Sequence, residues 1–186
     1  MTDVSPLDEF VPDPDARERF QVHVEAPTDV VMRVARGFDM QSPPIVRAIF
    51  SLRGRLTGTT PAPRAATGLV EEMRALGWGV LRDEPDRLFV AGAACQPWLA
   101  DVRFRAIPAA DFRAYEQPGQ VKIAWTLETT PADGGTTLAT ETRVVATDAE
   151  ARRKFLRYWR WARFGIIPIR RLLLPAIARR AEREWA

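Results

Sequence analysis

The chain has 186 residues, 46% of them hydrophobic, and a net charge of +3. That supplies one substantial core and excludes disorder over most of the length, while no apolar run is long enough for a membrane-spanning helix. A single cysteine, Cys95, excludes an internal disulfide framework.

In chain order, residues 1–17 are acidic, contain Pro6, Pro12 and Pro14, and show no period. They read as a flexible acidic tail ahead of a single domain over residues 18–186. The opening has neither the basic start nor the apolar stretch of a secretory signal, so a cytoplasmic location is expected. Phe20, Val22 and Val24 alternate with Gln21, His23 and Glu25, the signature of a first strand with one buried face. Three short helices follow. Thr28 is the expected cap of the first, which buries Val30, Val31, Val34 and Ala35. Ser42 and two prolines open the second, which ends at Gly54, and Leu69, Val70, Met73 and Leu76 carry the third.

From Trp78 the period changes to two, with turn residues at Pro85 and Asp86, at Pro118 and Gly119, and at Asp133 to Gly135. An antiparallel meander is predicted, with strands over 79–83, 87–93, 101–107, 111–116, 121–130 and 136–147. Thr147 and Glu150 then stand three apart ahead of an amphipathic segment, as in a capping box. Phe155, Trp159, Ala162, Ile166, Ile169, Leu173 and Ile177 mark its apolar face, and Arg153, Arg157, Arg160 and Arg171 the opposite one. Unbroken, this helix would run roughly 54 Å at about 1.5 Å per residue. Gly165 and Pro168 are therefore the expected site of a bend. The fold class is α+β: a helix-grip arrangement, with a curved antiparallel sheet closing around a long bent C-terminal helix and small helices after the first strand.

Chemical signatures are sparse. No nucleophile elbow, zinc-binding helix motif, phosphate-cradling loop or cysteine pair occurs, so no metal, no cofactor and no catalytic set are expected. His23, the only histidine, falls on the polar side of the first strand, and Cys95 reads as a small buried filler rather than a nucleophile. On the last strand, alternation permits two arrangements: Thr140 and Thr142 facing inward as ligand-orienting hydroxyls, or Glu141 and Arg143 facing inward as a buried pair. Ile123, Trp125 and Leu127 give the adjacent strand an apolar inner face, with Lys122, Thr126 and Glu128 outside. This favours the threonines inward, and leaves Glu128 to pair with Arg143 on the outside.

Residues 151–186 hold eleven Arg or Lys against two Glu. Because 25 of the 27 basic residues in the chain are arginine, compositional bias accounts for this as readily as a phosphate footprint, and no nucleic-acid partner is expected.

A resemblance can be placed on particular residues. They are Gly92 with Gln96, Pro97 and Trp98; Phe112 leading into Pro118, Gly119 and Lys122; Glu141, Thr142 and Arg143; and Arg153, Phe155, Tyr158 and Trp159. With the order of elements, over roughly residues 19–184, they resemble the START, polyketide-cyclase and Bet v 1 superfamily, in a bacterial branch of it. The Gly165–Pro168 break departs from that pattern. The resemblance implies a cavity between sheet and terminal helix for a lipid, polyketide or isoprenoid-like molecule, with no shared catalytic residues. The ligand-binding set expected is Trp98, Phe104, Phe112, Trp125, Thr140, Thr142, Tyr158 and Trp159. The corresponding function is binding or transport of a small apolar ligand. One alternative is a cyclase, dehydratase or hydrolase using Tyr158, Glu141 or Arg143. Another is a peripheral membrane or partner-docking protein, using the cationic helix with Trp159, Trp161 and Trp185 for weak contact with an anionic surface.

Overall fold

Alternating side chains on five strands build an antiparallel sheet that carries apolar clusters on both faces, and that property fixes the layout of the rest of the chain. A computed structural model describes residues 5–39 and 68–186, with the side chains of residues 165–170 outside that description. A short 3-10 turn (Pro6–Asp8) precedes β1 (Ala16–Val24) and α1 (Thr28–Arg36). Then come α2 (Leu69–Ala75), β2 (Gly79–Glu84), β3 (Leu88–Cys95), α3 (Ala109–Phe112), β4 (Val121–Ala132), β5 (Gly135–Ala146) and α4 (Ala149–Trp185). The helix expected over residues 42–54 lies outside the described residues. The sheet order is β1-β5-β4-β3-β2. The chain is thus α+β, with an open sheet edged by β1 and β2 rather than one that closes on itself.

Two predicted strands are absent. Residues 101–107 contribute one isolated bridge, Ala94 with Arg105, and residues 111–116 overlap the single helical turn α3. The reason is that this connection has to change faces. Phe104 packs on the helix side of the sheet and Ile107 on the other, and Pro108, which lacks an N–H, caps α3 just beyond. At the crossing a Cβ on Gly77 would lie 2.5 Å from the Phe104 carbonyl oxygen, and Gly77 has φ +96°, so the close approach needs glycine.

Both helix caps lie one residue from expectation. Pro27 is the N-cap of α1, with Thr28 the first helical residue. The N-cap of α4 is Asp148, whose carboxylate accepts from Ala151 N–H at 2.7 Å and from Gly119 N–H. Thr147 is committed instead to the start of β4, its hydroxyl donating to the Gln120 carbonyl at 2.9 Å. The helix itself runs as one element through Gly165 and Pro168, so the expected bend does not divide it. Its two ends are each docked: Ala151 and Phe155 are buried at one, and Leu174, Ile177 and Ala181 at the other.

The helix side of the sheet carries two apolar clusters. Phe20, Val22, Val24, Phe89, Trp125 and Leu138 meet α1 and the C-terminal part of α4. Cys95, Val121, Ile123 and Val144 meet Phe155, Tyr158 and Trp159, together with Trp98 and Phe104 from the face-changing connection. The opposite side is covered too. Leu88, Val90, Ala94 and Ala124 lie under Leu7, Phe10 and Val11 from the N-terminal segment and under Ile107 and Phe112.

This corrects the reading of residues 1–17 as a loose tail. From Ser5 onward the described part is a structural layer, and two of its acidic residues are engaged: Asp8 with Arg143 at 2.6 Å and Asp15 with Arg152 at 2.6 Å. Gly92 leaves room for this layer, since a Cβ there would stand 2.5 Å from Phe112 Cε2 and 2.6 Å from Leu81 Cδ1. Gly92→Val is therefore expected to displace the Phe112 ring and cost about 3 kcal/mol in chemical denaturation. Pairing it with Phe112→Leu should recover part of that loss, and strictly additive losses would mean that the two positions do not compete for space.

Candidate functional site

Alternation along β5 sends Leu138, Thr140, Thr142 and Val144 to the helix side and Glu141 and Arg143 to the other, as the apolar pattern of β4 favours. Thr140 is internally satisfied, its hydroxyl donating to the Thr126 carbonyl at 2.8 Å. Thr142 is different. It is 8% exposed and its Oγ1 has no hydrogen-bond partner among the described residues. A buried hydroxyl left unpaired costs about 1–3 kcal/mol. Thr142 stands opposite Glu18 on β1 and Trp125 on β4. Directly opposed residues have Cβ atoms about 5 Å apart, so Glu18 and Thr142 form a polar step on the same face. That step falls between the two apolar clusters.

Beside it several apolar side chains are only partly buried. Ile123 sits on β4, flanked by β3 and β5, yet its side chain is only partly buried. Its neighbours on that face are Phe155, Tyr158 and Trp159 from the N-terminal half of α4. Trp98, Phe104, Tyr158 and Trp159 surround the same region and are also partly buried. Phe155, 1% exposed, stacks on Trp159 with ring centroids 5.9 Å apart and anchors the helix end. Trp78 packs against Phe104 at 5.1 Å and supports the connection. The result is a group of partly buried aromatic and aliphatic side chains between the sheet and the N-terminal half of α4, with one polar step beside it.

Of the expected ligand-binding residues, Trp98, Phe104, Tyr158 and Trp159 come together here, with Thr142 beside them. Trp125 and Thr140 are on the same side of the sheet, but Trp125 is packed edge-on to Phe89 at 6.2 Å within the other cluster. Phe112 is on the wrong face, carried there by the crossing at Pro108, and lies in contact with Phe10 at 6.1 Å. Ile123 and Glu18 were not singled out by sequence. The signal for Ile123 was its place in the Ile123, Trp125, Leu127 alternation. Glu18 shares the alternation of Phe20 and Val22 on β1.

The charged pair Glu141 and Arg143 faces the N-terminal layer. Glu141 is fully buried, and its carboxylate meets Arg143 Nε at 2.7 Å, Arg17 Nε at 2.8 Å, Arg19 Nη1 at 3.1 Å and the Ser5 hydroxyl at 2.9 Å. Burial, the largest influence, pushes its pKa up. Hydrogen bonds from Arg143, Ser5 and Arg19 and the Arg143 charge outweigh burial and hold the pKa below the usual carboxylate value. Arg143 also donates to the Val11 carbonyl at 2.8 Å. The expected partnership of Glu128 with Arg143 does not form: Glu128 is in register with Ala139 and lies 3.7 Å from Arg19 instead.

Cys95 is buried, and desolvation pushes its thiol up to about 12, which makes it an inert filler. His23 is exposed on the side away from α4. Among the described residues no group of three or more His, Cys, Asp or Glu is placed to hold a metal ion, and no helix is long and apolar enough to cross a membrane.

No family model matches the chain, and no curated protein matches it. Solved structures give distant likenesses. One, an uncharacterised protein from Rhizobium leguminosarum, is 14% identical over 89% of this chain and 95% of its own, with TM-score 0.40. A protein from Chromobacterium violaceum is 13% identical over 89% of this chain and 97% of its own, with TM-score 0.39. A third, from Mesorhizobium loti, is 15% identical over 87% of this chain and 98% of its own, with TM-score 0.37.

Proposed function

We propose that this protein binds a small, mainly apolar molecule carrying one hydrogen-bonding group, in a cleft between the sheet and the N-terminal half of α4. The observation that supports this most directly is the pairing of an accessible Ile123 with an unpartnered Thr142 hydroxyl on the same interior face. Small-molecule sites are mainly apolar and aromatic, with few polar groups to set orientation, and this cleft has that composition. In this reading the chain is a helix-grip protein of the START, polyketide-cyclase and Bet v 1 type, acting as a carrier or sensor. The enzymatic alternative loses Glu141 and Arg143, which lie on the other side of the sheet and are tied to the N-terminal segment.

Thr142→Val separates occupancy from structure. It is expected to stabilise the empty protein by about 1 kcal/mol, because an unpaired buried hydroxyl is removed. The same change should weaken a guest that hydrogen-bonds there roughly fivefold. Native mass spectrometry of the purified protein should show a co-purifying small molecule, and Ile123→Trp should abolish both that adduct and the fluorescence of bound ANS. A protein that carries no adduct, and whose ANS signal is indifferent to Ile123→Trp, would remove the binding function.

A further inference from the structure

The outward face of α4 presents aromatic rings where a water-facing helix would be polar. Trp161 is 69% exposed and Phe164 67% exposed. Arg153, Arg157, Arg160 and Phe164 stand four, three and four residues apart and therefore share one stripe of the helix, with Trp161 at its margin. From Ala151 through Ala181 the helix contains no acidic residue. Neighbouring cations are neutralised, Arg152 by Asp15 at 2.6 Å and Lys154 by Glu150 at 2.7 Å. Arg153, Arg157 and Arg160 make no ion pair among the described residues. Arg160 lies 5.8 Å from the centre of the Trp161 ring, which keeps cation and ring on the same surface. Trp159, grouped with Trp161 by sequence, faces the cleft instead.

We propose that this stripe docks the protein on an anionic phospholipid surface, with Trp161 and Phe164 entering the interfacial layer and the three arginines meeting lipid phosphates and carboxylates. A helix lying in an interface needs these two components, exposed large apolar side chains and cations on the flanking face. Charge selects the occupant. A second copy of the chain would set arginine against arginine, whereas an anionic bilayer supplies both the opposite charge and an apolar layer for the rings. This surface faces away from the cleft, and its test does not depend on the cleft being occupied.

The experiment is flotation of the full chain with vesicles of phosphatidylcholine alone and of phosphatidylcholine with about a third phosphatidylserine. Binding is expected only to the anionic vesicles and should fall as salt is raised. Each of Arg157→Gln and Arg160→Gln should weaken partitioning roughly fivefold. Trp161→Ala with Phe164→Ala should weaken it more than tenfold while leaving the thermal midpoint in place, since both rings are exposed. Absence from both floats, or equal binding to neutral and anionic vesicles, would overturn the proposal. So would tighter, Trp161-dependent binding to a single-stranded RNA oligomer, or self-association that Trp161→Ala removes.

Discussion

A chain begun at Pro12 should fail to fold cooperatively. It would lack Leu7, Phe10 and Val11, all three buried against the sheet face opposite α4. Burying each such side chain is worth about 1.5–3 kcal/mol, so the three together reach the lower part of the 5–15 kcal/mol that holds a typical domain folded. The truncation also removes Asp8 and the Val11 carbonyl from Arg143, and Ser5 from Glu141. The expected result in a guanidinium titration is a broad or absent transition with raised ANS fluorescence at zero denaturant. An unchanged midpoint would show that residues 5–11 rest on the sheet without contributing to it.

Glu141→Gln should be the most damaging of the conservative point changes. The shape is kept and the charge removed, which leaves Arg143, with a side chain only 3% exposed, without its one fully buried counter-ion and dependent on the half-exposed Asp8. Removing one partner of a buried pair costs about 3–5 kcal/mol, far more than the net worth of the pair itself. Replacing both members, as Glu141→Leu with Arg143→Met, should therefore cost much less than the single change, and a double variant as unstable as Glu141→Gln would refute this account.

The pH dependence follows in sign. Glu141 has a folded-state pKa below its unfolded value, so its contribution is complete above the ordinary carboxylate range and is lost as pH falls through the lower folded value. Acid unfolding of the native sequence should consequently be steeper than that of Glu141→Gln when midpoints are compared between neutral pH and pH about 3.

The sheet strands were readable, because β1, β4 and β5 carry an apolar set at every second position and β3 is a short continuous apolar run, buried at every residue. The choice between Thr142 and Arg143 for the interior was also within reach. It followed from the apolar set on β4, once the two strands are adjacent and in register. What could not be read were segments whose local pattern is subordinate to a distant surface. Residues 101–107 alternate as a strand would, but they leave the sheet at Arg105 to carry Phe112 to the far side. Acidity and three prolines near the N-terminus masked Leu7, Phe10 and Val11, whose spacing of three and one makes sense only against an apolar sheet face that needs covering. The cap assignments missed by one residue because Thr147 and Asp148 both qualify chemically, and the Gln120 backbone had prior claim on the threonine.

The pairing of β1 with β5 has a kinetic consequence. Among the described residues β1 is an edge strand paired with β5: Phe20 is in register with Thr140, and Val24 with Thr136. A ribosome-bound chain therefore makes β1 long before the strand that templates it, and carries β1 without its β5 partner until residues 135–146 have been made. Closing so large a loop is entropically slow, and an exposed apolar strand is the kind of segment that seeks foreign edges in the interval. The molecule's vulnerability thus lies in its birth rather than in its mature form.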